Sequence, residues 1–202
     1  MIEMAKRRRR QQSVYEFKPD PKNTNFLKRL YMTRLQRLTL LKWGCYVLAG
    51  ITLLVVQDVI MSQIRFSGAT TDLPVAFILL VGLYEGLELG SVFTLSASLF
   101  YWFSGSAPTP ICIGLLCVLN VFIGLFRQMY WNRSFGSLTL CTAVSIMLYE
   151  MMLFAVGLMQ GLTIMPRASV FALTGALTCI TMLPMYPLVR AISKIGGDSW
   201  NE

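Results

Sequence analysis

From Leu38 to Met61 the chain runs 24 residues with a single lysine, Lys42, and a single aspartate, Asp58. A helix of about 20 apolar residues crosses the hydrocarbon core of a bilayer. Five more apolar segments follow, at about Leu73 to Tyr84, Leu87 to Phe103, Ile111 to Phe126, Leu138 to Leu158 and Val170 to Val189. The pattern predicts an all-α polytopic membrane protein with about six transmembrane segments spread over residues 38–194. The second and third segments together are too long for one helix. Glu85 and Glu88 sit badly in lipid, so a tight hairpin at Glu85-Gly86 is expected between them. Asp72 precedes Pro74, as an N-cap before a first-turn proline does. Pro184 and Pro187 are expected to break the end of the sixth segment.

Charge sets the orientation. Residues 1–42 hold 12 of the 18 Lys and Arg, beginning with Lys6, Arg7, Arg8, Arg9 and Arg10, and only three acids. Basic residues beside a first span keep that side in the cytoplasm. With the N-terminus inside, Arg127, Arg133, Arg190 and Lys194 also fall inside, and Arg65 and Arg167 outside. Both termini are then cytoplasmic. Residues 1–23 read as a basic, disordered tail. Residues 24–42 read as an amphipathic interfacial helix, with Leu27, Leu30, Tyr31, Leu35, Leu38 and Leu41 at helical spacing and basic residues such as Lys28 and Arg29 between them. The tail is expected to bind anionic lipid headgroups rather than nucleic acid. Residues 195–202 form a short cytoplasmic C-terminal tail.

The residue types exclude much chemistry. There is no histidine, so His-based catalysis and His metal ligation are out. The five cysteines lie in apolar segments and lack zinc-type spacing. Phosphate loops, GxSxG and HExxH are absent, and the loops are short. No enzyme activity, metal or cofactor is expected.

The intramembrane polar residues are therefore the candidate sites. Glu150 lies well inside the fifth segment, where an acid is costly unless protonated, paired or facing the bundle interior. It reads as a packing group, a partner contact or an ion site. Asn120, in the fourth segment at roughly comparable depth, is the expected partner. Gln57 and Asp58 lie near the outer end of the first segment and read as an interfacial end or a docking surface. Gly82, Gly86 and Gly90 read as turn and helix-end glycines, and Ala172, Gly175 and Ala176 as a small-residue packing surface.

Four stretches carry a resemblance. The first segment ends in LLVVQDVIMSQIRF. Thr71-Asp72-Leu73 then opens the second apolar segment like a "PDL" start. Ser104-Gly105-Ser106-Ala107-Pro108 is a turn of the "SGSP" kind, and the last segment runs through LPMYPLVR. Over about residues 45 to 194 this resembles the rod shape-determining protein MreD family of the bacterial inner membrane. The chain departs from that pattern in two places. Glu85 and Glu88 replace a basic turn, and Tyr101-Trp102-Phe103 stands where many members carry an aspartate.

The resemblance implies a non-catalytic scaffold of cell-wall elongation. It implies an MreC-like membrane partner, with MreB and peptidoglycan synthases in the same machinery. Gln57, Asp58 and Asp72 are then the candidate partner contacts. The family is also similar in fold to the substrate-binding S-components of energy-coupling-factor vitamin transporters. That likeness implies an alternative in which Trp102, Asn120 and Glu150 line an outward pocket.

Overall fold

A computed structural model describes residues 34–130 and 135–195. The chain divides between Arg37 and Leu38 into two units, and the helical packing below belongs to the second. The tail residues Lys6, Arg7, Arg8, Arg9, Arg10, Lys28 and Arg29 lie outside the described residues, as do Arg133 and residues 196–202.

Among the described residues the fold is all-α. Its six α-helices are α1 (Arg34–Val59), α2 (Leu73–Glu85), α3 (Leu87–Phe103), α4 (Ile111–Tyr130), α5 (Phe135–Met159) and α6 (Ala168–Ser193). Short 3-10 turns, Met61–Gln63 and Met165–Arg167, follow α1 and precede α6. Three helical stretches are long and apolar enough to cross a membrane: Gln36–Gln63, Gly136–Met159 and Met165–Ser193. The helices α2, α3 and α4 are apolar but shorter.

The core is α2. All thirteen of its residues are buried, as expected of a helix that is apolar on every side. It packs against α3, α4, α5 and α6. Pro74 stands in its first turn, where the missing N–H is no loss. The helix stops at Gly86, whose φ of 85° is open to glycine. A Cβ at that position would lie 2.9 Å from Nη1 of Arg127. The hairpin expected at Glu85-Gly86 therefore forms.

The hairpin also changes the reading of its glycines. A Cβ on Gly90 would lie 2.7 Å from the Gly82 carbonyl oxygen. Gly82 and Gly90 are thus not merely end residues. They face each other across the turn and let α2 and α3 approach closely. A second correction concerns α6, which continues through Pro184 and Pro187 to Ser193. Each proline removes one backbone donor, but buried packing by Met182, Met185, Tyr186 and Val189 holds the helix together there.

By contrast, α1 is mostly exposed, and Lys42 and Tyr46 are its only buried side chains among those described. Its aromatic residues reach inward. The Tyr46 ring lies 6.5 Å from Phe77 and 5.9 Å from Phe93, and Trp43 lies 5.9 Å from Phe93.

Candidate functional site

A short buried helix has backbone groups at both ends that need partners away from water. In this chain, polar side chains from the surrounding helices supply them.

At the C-terminal end of α2, Arg127 of α4 donates through Nη1 to the carbonyls of Leu83 (2.9 Å) and Tyr84 (3.2 Å). A cation at a helix C-terminus also offsets the negative end of the dipole. Beside it, Lys42 of α1 donates to Oε2 of Glu85 at 2.7 Å, and Tyr46 donates its hydroxyl to Oε1 at 2.8 Å. Both carboxylate oxygens are thereby engaged. The side chains of the ion pair are only 9% and 1% exposed. Lys42, Glu85 and Arg127 thus gather at one end of the bundle, and for the two cations this is the relative placement that loop charge suggested.

At the N-terminal end, Gln57 of α1 uses both halves of its amide. Nε2 donates to the Thr71 carbonyl at 2.6 Å, and Oε1 accepts from the Leu73 N–H at 3.2 Å. Thr178 of α6 accepts from the Asp72 N–H at 2.9 Å. Asp72 stands at the N-cap position but makes no side-chain capping bond. Its carboxylate accepts instead from the Tyr101 hydroxyl of α3 at 2.6 Å. Burial pushes this carboxyl up to about 6. The Tyr101 hydroxyl and the Val75 N–H, the latter outside normal hydrogen-bond geometry, act in the opposite direction.

The three expected partner contacts therefore differ. Gln57 and Asp72 have polar groups engaged inside the bundle. Asp58 stays exposed and accepts from the Ser106 hydroxyl at 2.7 Å. That bond ties the end of α1 to the Ser104-Gly105-Ser106 turn after α3.

Glu150 and Asn120 do not meet. Asn120 packs on Gly82, where a Cβ would lie 1.8 Å from its Oδ1, and Thr94 Oγ1 is 3.3 Å from the same point. Neither polar atom of Asn120 has a hydrogen-bond partner among the described residues, and neither does Thr94 Oγ1. Glu150 packs through Cγ on Gly175 of α6, 3.3 Å from where a Cβ would stand. Gly175 lies one turn from Thr178, which bonds the start of α2. Asn120 thus sits near one end of α2 and Glu150 near the other. Sequence depth suggested a pair because it treated every segment as a full span, whereas α2 is 13 residues long. Glu150 is 3% exposed, and no described residue hydrogen-bonds or ion-pairs with its carboxyl.

The Lys42–Glu85 pair escaped the sequence reading, which assigned Lys42 to the basic entry to the first span. A signal was present: Lys42 and Glu85 are lone opposite charges at matching ends of neighbouring apolar segments. Arg127 and Gln57 gave no comparable signal of their capping roles.

A cleft of about 110 Å³ lies between α1 and the α2–α3 hairpin. Its walls are apolar and include Gly50, Leu54, Phe77, Phe93 and Ala97. Trp102, Asn120 and Glu150, the residues expected to line a pocket, do not line it. Trp102 packs instead against Phe103, with ring centroids 4.9 Å apart. Compared with known proteins, the chain matches no protein-family model, no curated protein and no solved structure.

Proposed function

We propose that this chain is a non-catalytic membrane scaffold of the MreD kind. All six helices lie in the bacterial cytoplasmic membrane, with both termini in the cytoplasm. The basic tail rests on anionic headgroups. The outer end of α1 and the adjoining loops bind an MreC-like partner, and through it MreB and the peptidoglycan synthases of elongation.

One observation carries the reading. Three of the four stretches behind the resemblance converge on one end of the bundle: Asp58 bonds Ser106, Gln57 bonds Thr71 and Leu73, and Asp72 bonds Tyr101. The helices too short to count as spans are consistent with it. Exposed apolar residues such as Val92 and Phe100 on α3, and Val118 and Phe122 on α4, suit lipid. The polar side chains of Lys42, Tyr46, Gln57, Arg127 and Thr178 hold α2 at its two ends, as suits a packing role.

Asp58 is the exposed member of the converging set, so it is the residue to change. Charge reversal, Asp58→Lys, should sharply reduce co-purification of an MreC-like protein at normal expression. Undiminished recovery would remove this surface from the proposal.

A further inference from the structure

Two polar clips hold α1 against α2 and the residues just before it. One is Lys42 and Tyr46 on Glu85, and the other is Gln57 on Thr71 and Leu73. Between them, Gly50 on α1 and Ala97 on α3 are too small to close the gap, and the cleft of about 110 Å³ is left over the Phe77 and Ile78 side chains of α2.

The polar groups on its walls are already engaged. The Tyr46 hydroxyl is on Glu85, the Tyr101 hydroxyl on Asp72, and the Ser96 hydroxyl on the Val92 carbonyl. These walls therefore offer an occupant no free hydroxyl donor, and hydrocarbon fits best. The rim residues Val47, Ile51 and Phe100 are apolar and exposed. The cleft thus opens sideways onto surface that itself favours lipid. It is smaller than the ~150 Å³ apolar cavity that admits benzene, so it accepts a short run of methylenes and not a helix. A side chain from a neighbouring helix would have to bring its backbone along the rim, whereas an acyl chain is already there in any bilayer. Lining atoms without neighbours would forfeit their dispersion contacts.

We propose that this slot binds one acyl chain of a bilayer phospholipid as a fixed part of the folded bundle. The inference rests on the membrane reading given above.

Trp43 is a built-in reporter, with its ring 5.8 Å from Tyr46 and 5.9 Å from Phe93, both on the slot wall. The full chain with Trp102, Trp131 and Trp200 changed to Phe is reconstituted into phosphatidylcholine vesicles, with and without bromine on the acyl chain. Bromine quenches tryptophan only at short range. Trp43 should be quenched, and Gly50→Leu should cut that quenching by at least half with helicity unchanged. Ala97→Leu fills the slot from the opposite wall and should do the same, which guards against misfolding of either variant. Equal quenching in the parent and both filled variants would mean ordinary contact with surrounding lipid and would overturn the proposal. Absence of quenching in the parent would overturn it too. Failure of the parent chain to float with vesicles would instead sink the membrane reading, and the slot with it.

Discussion

Breaking the Lys42–Glu85 pair should be among the most damaging single changes in the bundle. The two side chains meet at 2.7 Å with 9% and 1% exposure, and Tyr46 holds the second carboxylate oxygen. Lys42→Met removes the hydrogen-bonded counter-charge and leaves Glu85 buried with one hydroxyl donor, with the Arg127 guanidinium as another cation acting on it. Removing one partner of a buried pair costs ~3–5 kcal/mol, mostly because the other charge is stranded. Glu85→Leu strands Lys42 in the same way and also leaves the Tyr46 hydroxyl without its acceptor, so a similar loss is expected. Replacing both by apolar residues of similar volume removes the buried charges, leaving only the Tyr46 hydroxyl without its acceptor, and such replacements are often neutral or stabilising. The double variant Lys42→Met/Glu85→Leu should therefore be far more stable than either single variant. Equilibrium unfolding in mixed micelles, followed by circular dichroism, gives the three values, and the cycle isolates the coupling. Additive single-variant effects, or a harmless Lys42→Met, would refute the claim that the pair is buried and mutually dependent.

Other expectations follow from the same geometry. Gly82→Ala places a Cβ against Asn120 Oδ1 at 1.8 Å and should cost ~1–3 kcal/mol by overpacking; Asn120→Ala should rescue it, and the absence of rescue in unfolding measurements would contradict the contact. Gly175→Val should cost a similar ~1–3 kcal/mol by pushing on Glu150 Cγ and Met147 Sδ, while Glu150→Gln keeps the aliphatic contact and should keep the fold; loss of assembly in Glu150→Gln would show that the carboxyl itself is required. Asp72 has its pKa raised by burial from 3.8 to about 6, so the folded protein binds its proton more tightly than the unfolded chain does. Its contribution to stability is thus fully present below 3.8 and lost as pH rises through about 6. Stability measured across that window should fall more steeply in the parent than in Asp72→Asn, and identical slopes would refute the burial of this carboxyl.

Much of this architecture is legible in the sequence because lipid solubility is a property of single segments. Leu87–Phe103 is reproduced at both ends, and α2 ends one residue beyond the expected Tyr84. The hairpin at Glu85-Gly86 follows from two acids interrupting an apolar run. What joins the helices is a different matter. The Lys42–Glu85 bond links residues 43 apart, and Thr178 reaches Asp72 across 106. Such pairs depend on packing that no local pattern encodes. The same gap produced the mistaken Glu150–Asn120 pair, because depth counted along a segment assumes equal spans. The prolines of α6 misled for a related reason: local preference favours a stop, and tertiary burial overrides it.

The scaffold reading stands or falls on the company the protein keeps. Affinity purification of the tagged chain from native membranes, followed by mass spectrometry, tests it most directly. Recovery of an MreC-like protein together with cell-wall synthases is the expected result. Recovery instead of an energy-coupling transmembrane subunit with paired ATPases would contradict it and make the chain a substrate-capture subunit.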